Sequence, residues 1–536
     1  MVAFWYKPSL ETQYRGEPTI TIGGRGVMND PIEQIHEIDS EIVIGLVGAL
    51  GTDLARVRDL VSEALVQIRY DAIHVKISKQ VIPLFGAIEY EEGNESDRIE
   101  KMMDAGNSAR KRSKDQSVLA LGAASVIATQ RDQEGRPLAR TAFIIDSLKR
   151  PEEVERLRKI YPGGFVLLGV HADEERRLAK LESKGMTKAK AQHLIDRDNN
   201  DKSVEFGQRL EKTFYLSDFF LQLDGNDDKL QSEIRRLIDL IFGYPFWTPS
   251  FDEYAMFFAF AAALRSADLS RQVGAVVSRD QQILATGAND CPKSGGGLYW
   301  PERDQRGILH DKNDGRDYVR GYDSNRKVQN DIITDLVKRG QESGLDGSKL
   351  RALLGAKGSP IRDLTEYGRV VHAEMDALTA CGRAGIPTSG ATLYCTTFPC
   401  HNCAKHIVAA GVSRVVYIEP YEKSKASEFH QDSIVFGTGN QDNRRVRFEP
   451  FVGIGPRRFF DLFSMNLSTG YDVVRKNGTS DTGEKVPWKP QEARPRVQML
   501  QSTYLDLELE AAKLFDQIIP KPGVEDHGKE DGQIDC

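Results

Sequence analysis

His372-Ala373-Glu374 and Pro399-Cys400-His401-Asn402-Cys403 constrain the folding of this chain more tightly than any other feature in it. One imidazole and two thiolates form a donor set for Zn2+ that leaves the fourth tetrahedral position open to water, as catalysis at the metal requires. Zinc would lower that water's pKa from ~15.7 towards ~7. Glu374 is then the catalytic candidate, a carboxylate that takes the water's proton and passes it on without binding metal. The flanking residues supply the geometry. Val370-Val371 lead into His372, and Glu374 to Ala380 has a helical pattern that closes near Gly382 or Gly385. Ala391 to Thr396 reads as a strand stopped by Pro399, Ala404 to Ala410 as a helix with Gly411 as C-cap, and Arg414 to Ile418 as the next strand. Both thiolates then lie at a helix N-terminus, where the dipole favours anions. Two strand-to-helix corners must converge on one metal.

A Cys-x-x-Cys pair also serves as a redox couple or as half of a structural zinc site, which His401 or His406 would help to complete. The redox reading leaves Pro399, His372 and Glu374 without a role, and the structural one leaves Glu374 idle. His-x-Glu followed by Pro-Cys-x-x-Cys has the form of the zinc-dependent nucleobase deaminases. That resemblance implies hydrolytic deamination with ammonia as a product.

At 536 residues the chain exceeds one core and predicts about two to four domains. A formal net charge of −7 argues against a dedicated nucleic-acid binder. Six cysteines in so long a chain do not make a disulfide framework, which favours a reducing compartment. The longest apolar run, Ala255 to Leu264, is too short to cross a bilayer, and the Met1 to Lys7 segment lacks a signal peptide's pattern. The expectation is a cytoplasmic protein with no membrane partner.

Gly243 to Ser250 interrupts the helical pattern and is the best boundary between modules. The predicted domains are 1–245, 251–470 and a C-terminal extension, 471–536, whose end after Pro520 has a disorder-type composition. Before the boundary, Glu41 to Val47, Ala142 to Ser147 and Gly164 to Val170 read as strands alternating with helices, a parallel α/β sheet. A helix is predicted from Leu54 to Arg69. The turn built from Gly45, Gly48, Gly51 and Thr52 resembles the phosphate loop of nucleotide kinases, and Asp146 resembles their strand-end acidic residue. Such a loop holds phosphate with backbone N–H groups. The Gly-Lys-Ser/Thr ending is missing, and Asp53 stands nearby, so phosphotransfer is not expected. The resemblance implies a degenerate kinase-like domain able to take a regulatory nucleotide. The alternative is a glycine turn that serves packing only.

Beyond the boundary, Phe257 to Ala267 reads as a helix, followed by a hairpin from Gln272 to Gly287. Arg271 to Val276, Gly287 to Pro292, His372-Ala373-Glu374 and Pro399-Cys400-x-x-Cys403 together resemble the deoxycytidylate deaminase family. The resemblance implies a cytidine-deaminase-like three-layer α/β/α fold around a mixed five-stranded sheet, deoxycytidine nucleotides as substrates, Asn289 on the substrate sugar, and a homo-oligomer. Arg271, Lys423 and Lys425 are candidate phosphate cations, with ordinary surface charge as the plain alternative. The full-length arrangement resembles the bacterial anti-phage dCTP deaminases. That implies conversion of dCTP and dCMP to uracil nucleotides, depletion of the dCTP pool, and inhibition by a small RNA. A nucleic-acid editing deaminase and a nucleotide- or RNA-sensing regulator with deaminase output are the rival readings. Between Pro292 and Val371 lies a long insertion with one helix predicted near Val328 to Arg339. Cys291 and His310 are candidates for a second, structural metal.

Overall fold

The computed structural model describes residues 39–199, 207–356, 358–421, 424–437, 444–478 and 482–520. Expectations for 521–536 and for Lys423 lie outside the described residues. The first sheet contains β1 (Ile42–Gly48), β2 (Asp71–Lys76), β3 (Thr141–Asp146), β4 (Phe165–His171) and β5 (Phe219–Gln222), all parallel, in the order β5-β4-β1-β3-β2. All seven residues of β1 are buried, as its unbroken apolar run demands of a strand covered on both faces. Val43, Val47, Phe143 and Ile145 face one core, and Ile42, Ile44, Ala142 and Ile144 face the other. The helix Leu54–Gln67 follows β1, N-capped by Asp53.

The boundary stretch is a turn between the helices Asp227–Ile241 and Phe251–Ala263. Ser250 caps the second helix by accepting from the Glu253 N–H, while Glu253 accepts from the Ser250 N–H. The hairpin β6 (Gly274–Arg279) and β7 (Gln282–Ala288) comes next, as the alternation predicts. The insertion contains a small hairpin, β8 (Glu302–Arg303) with β9 (Leu309–His310), a short helix Asp317–Arg320, and the helices Ser324–Glu342 and Gly347–Gly355. The second sheet continues with β10 (Thr392–Thr397), β11 (Arg414–Glu419), β12 (Ile434–Phe436) and β13 (Val446–Pro450), in the order β12-β13-β11-β10-β6-β7. It is mixed, with β10, β11, β12 and β13 parallel, β6 antiparallel to β10, and β7 antiparallel to β6. It has six strands and not five, because the short β12 pairs along the edge of β13.

The chain then returns to where it began. β14 (Gly453–Ile454) pairs antiparallel with β5, extending the first sheet to six strands. Glu253, 1% exposed, binds this junction: it accepts from the Ile454 N–H at 2.8 Å and pairs with Arg236 at 2.8 Å. Phe220 of β5 shares a core with Met256, Val276, Tyr394 and Phe451, so apolar contact runs continuously between the sheets. The helix Gln501–Ile518 lies against Val118–Ala128, placing Tyr504 and Phe515 in the core of the first sheet. Among the described residues, no helix is long and apolar enough to cross a membrane.

Candidate metal centre and catalytic cavity

His372 is the N-cap of the helix Ala373–Ala384, and Cys400 is the N-cap of the helix His401–Ala409. Extended backbone at each cap turns the chain into its helix and aims the first-turn side chains at one point. β10 precedes Cys400, but the expected strand before His372 is only an isolated bridge at Val371. His372 Nδ1 lies 3.4 Å from Cys400 Sγ and 3.3 Å from Cys403 Sγ, and the three donor atoms fall within 4.8 Å of one another. A tetrahedral zinc, with bonds of ~2.3 Å to sulfur and ~2.0 Å to nitrogen, separates the two kinds of donor by about 3.5 Å. The residues fit the zinc ion. Among the described residues this is the only group of three or more such side chains able to hold a metal. His401 and His406 are not in it. Cys291 and His310 are not brought together either: Cys291 is buried against Asp317, and His310 is exposed on the β8–β9 hairpin.

The donors polarise one another. A hydrogen bond from Cys403, opposed by burial and reinforced by His372, pulls the Cys400 thiol down to about 4. The hydrogen bond to Cys400 raises His372 to about 9 against the effect of burial. The Cys403 N–H donates to Cys400 Sγ at 3.4 Å, as expected for an anion at a helix N-terminus. Glu374, 4% exposed, lies one residue into its helix, and burial is the main reason its carboxyl is raised above the ordinary range. A raised carboxyl holds a proton more readily, as a group that relays protons must. Cys395 on β10, missed in sequence, lies beneath it, and burial and the Glu374 charge push its thiol well above the usual value.

A cavity of about 230 Å3 opens over this cluster. Asn289 and Arg271 both line it. Asn289 is buried, and its amide is engaged by backbone: Oδ1 accepts from the Val273 N–H at 2.7 Å and Nδ2 donates to the Arg271 carbonyl at 2.9 Å. Arg271 is exposed, its guanidinium 5.0 Å from the centre of the Tyr421 ring. Tyr421 lines the cavity and was missed in sequence; an aromatic just beyond a strand carries no distinctive spacing. Lys425 does not line the cavity and instead faces Glu428 and the Phe429 ring. The insertion does line it, through Asp317, Asp323, Asn325, Thr365 and Gly368.

The N-terminal glycine turn is arranged differently from the sequence expectation. Gly45 is inside β1, where a Cβ would come within 2.8 Å of Leu148 and Phe165; the requirement there is packing. Gly48 ends the strand, and Gly51 has φ +87° with the Arg177 carbonyl 2.6 Å from where a Cβ would be. The Thr52 hydroxyl is buried without a hydrogen-bond partner. The Leu50 N–H donates to Asp198 at 2.6 Å, and Asp198 is held by Lys149 at 2.8 Å. Asp53 pairs with Lys180 at 2.7 Å. The Asp198 carboxylate therefore occupies one donor of this turn, and Lys149, three residues beyond β3, is a cation beside it.

Residues 249–419 match the cytidine and deoxycytidylate deaminase zinc-binding region. The chain is 31% identical over 169 residues to the deoxycytidylate deaminase of Mycobacterium phage D29, covering 32% of this chain and 94% of that protein. It is 46% identical over 54 residues to the ComE operon protein 2 of Bacillus subtilis (strain 168), covering 10% of this chain and 29% of that protein. A crystal structure of the dCMP deaminase from the cyanophage S-TIM5 in apo form aligns over 38% of this chain and 100% of its own, with 20% identity and a TM-score of 0.21.

Proposed function

Since this chain belongs to the deoxycytidylate deaminase family, we propose that it hydrolytically deaminates deoxycytidine nucleotides, dCMP and dCTP, to their uracil counterparts and ammonia. The observation that carries this reading is Glu374 buried beside the His372, Cys400 and Cys403 donor cluster at the base of a cavity. Those three side chains would hold zinc, which when bound supplies an acidified water, its pKa lowered from ~15.7 towards ~7. Glu374 would take one proton from the attacking water and deliver it to the ring nitrogen as the oxygen bonds to the amino-bearing carbon. It would then take the second proton from that oxygen and pass it to the amino group, which leaves as ammonia as the C–N bond breaks and the carbonyl forms. Asn289 holds the 271–273 backbone at the cavity wall, and Arg271 supplies a cation for phosphate at the mouth. Burial of Glu374 and Asn289 excludes bulk water from them and strengthens their interactions.

We infer that the N-terminal half is a degenerate kinase-like module and that draining the dCTP pool is the biological output, as in the anti-phage enzymes the chain resembles. A central β1 in the parallel order β5-β4-β1-β3-β2, with the glycine turn directly after it, supports the module reading. A regulatory nucleotide there would have to compete with Asp198. The test is direct. Zinc-loaded protein is incubated separately with dCMP, dCTP, deoxycytidine and single-stranded DNA, and uracil product and ammonia are followed. Turnover of both nucleotides above the other two supports the proposal. Faster turnover of DNA would overturn it.

A further inference from the structure

The segment that delivers His372 to the metal belongs to no strand of the second sheet. Asp290, next to the cavity residue Asn289, exchanges two backbone hydrogen bonds with Val371: the Asp290 N–H donates to the Val371 carbonyl at 3.2 Å, and the Val371 N–H donates to the Asp290 carbonyl at 3.0 Å. This bridge places the substrate-side turn directly against the residue before the metal donor. The insertion then clamps both partners. Asp317 is 6% exposed, lines the cavity, and accepts from Arg369 Nη1 at 2.8 Å on the His372 side. On the Asn289 side it accepts from Cys291 Sγ at 3.5 Å. Burial, with the Asp317 charge adding to it, pushes the Cys291 thiol up to about 11, so it is an S–H donor. Arg369 Nη2 also donates to the Gly315 carbonyl at 3.2 Å. Next door, the guanidinium of Arg316 lies 3.4 Å from both Asp290 and Asp311 and donates to the Tyr299 carbonyl.

We propose that Asp317 is a positioning residue for the metal centre: through Arg369 and Cys291 it fixes the segment leading into His372 against the turn carrying Asn289. Its place in the reaction rests on the deaminase reading above, but its effect on the donor geometry does not. A carboxylate nine-tenths buried is stable only with its donors in place, so it acts as a rigid spacer between two cavity walls. The insertion is then part of the catalytic framework. Misplacing a reacting group by ~1 Å costs about 100-fold in rate, and a loosened His372 corner would misplace Glu374, two residues on.

The experiment uses the full-length protein carrying Asp317→Asn, loaded with zinc for kinetics and with cobalt(II) for spectroscopy, and metal-free for deuterium exchange. Asp317→Asn is expected to lower kcat on dCMP about tenfold or more while KM changes less than ~3-fold. It should also shift the cobalt(II) ligand-field bands and accelerate exchange in the peptide spanning 366–376. Asp335→Asn is the control, because Asp335 belongs to the same insertion but is exposed on the helix Ser324–Glu342, where it pairs with Arg339; it should leave all three readouts unchanged. Wild-type bands, exchange and kcat in Asp317→Asn would overturn the proposal, as would equal losses in Asp335→Asn. Arg369→Gln removes the other half of the pair and should reproduce the Asp317→Asn result. Failure of both variants to fold would also overturn it, making the pair a requirement for folding. If the wild-type protein does not turn over dCMP, the deaminase reading fails while the bands and the exchange still judge Asp317.

Discussion

Arg131 and Glu508 are 377 residues apart in sequence, yet Nε and Oε1 meet at 2.5 Å in a site where both side chains are at most 5% exposed. Arg131 also pairs with Glu41 at 2.9 Å, while Tyr161 donates to Glu508 and Tyr504 to Glu41. Arg131 is the cation between the buried carboxylates of Glu41 and Glu508, so removing it leaves both charges without this partner. Arg131→Met should therefore destabilise the fold by about 3–5 kcal/mol. Urea denaturation checks this, and an unchanged midpoint would rule out the network as the anchor of the C-terminal helix.

Glu374→Ala should lower deaminase turnover by ~10²–10⁴-fold or more, since a single carboxyl serves several proton transfers. It should leave zinc content unaltered. Parallel kinetics and metal analysis separate this from loss of the site, and near-wild-type turnover would end the proposed role.

Cys403→Ser should lose metal together with activity. Cys403 is one of three protein donors, and a serine hydroxyl is a much poorer zinc ligand than a thiolate. Zinc stoichiometry after dialysis against a mild chelator gives the answer.

Arg271→Ala should raise KM for dCMP more than for unphosphorylated deoxycytidine, because its exposed guanidinium at the cavity mouth is placed for phosphate. Equal changes on the two substrates would remove it from phosphate recognition.

Asp252 ties the helix Phe251–Ala263 to β11 by a double contact with Arg414 at 2.8 and 2.9 Å. Burial raises its carboxyl, but the Arg414 hydrogen bonds and charge outweigh that and hold it below the usual range. A depressed folded-state value means the unfolded chain takes up the proton first as pH falls. The contribution is complete above the unfolded-state value of ~3.9 and disappears as pH falls through the folded one. Stability against pH should therefore decline less steeply between pH ~4 and ~2 in Asp252→Asn than in the wild-type protein. Parallel acid profiles would contradict the assignment.

The metal corners were legible because their information is local. His372 to Glu374 and Pro399 to Cys403 each span one turn of chain, and the caps that aim them are set by neighbouring residues. The helix in the insertion was legible in kind but short in length, because Asp323 caps it at Ser324–Glu342, outside the apolar periodicity. Gly45 was misplaced in the turn, since glycine in a buried strand and glycine in a loop look alike until Phe165 packs against it. Asp198, Lys149 and Asp317 carry no local signal at all. Asp198 meets Leu50 across 148 residues, and Arg369 meets Asp317 across 52. An aspartate's partner is decided by tertiary packing, which one-dimensional spacing does not encode.

The return of β14 and the helix Gln501–Ile518 to the first sheet sets the timing of this protein's birth. The strands β1 to β5 leave the ribosome first, but Tyr504 and Phe515, which fill their core, follow roughly 270 residues after the 243–250 turn. At ~5–20 residues per second that is a wait of about 15–55 s. For that interval the face of Val118–Ala128 that the helix Gln501–Ile518 covers is open, an apolar surface that other chains can meet before its own helix arrives.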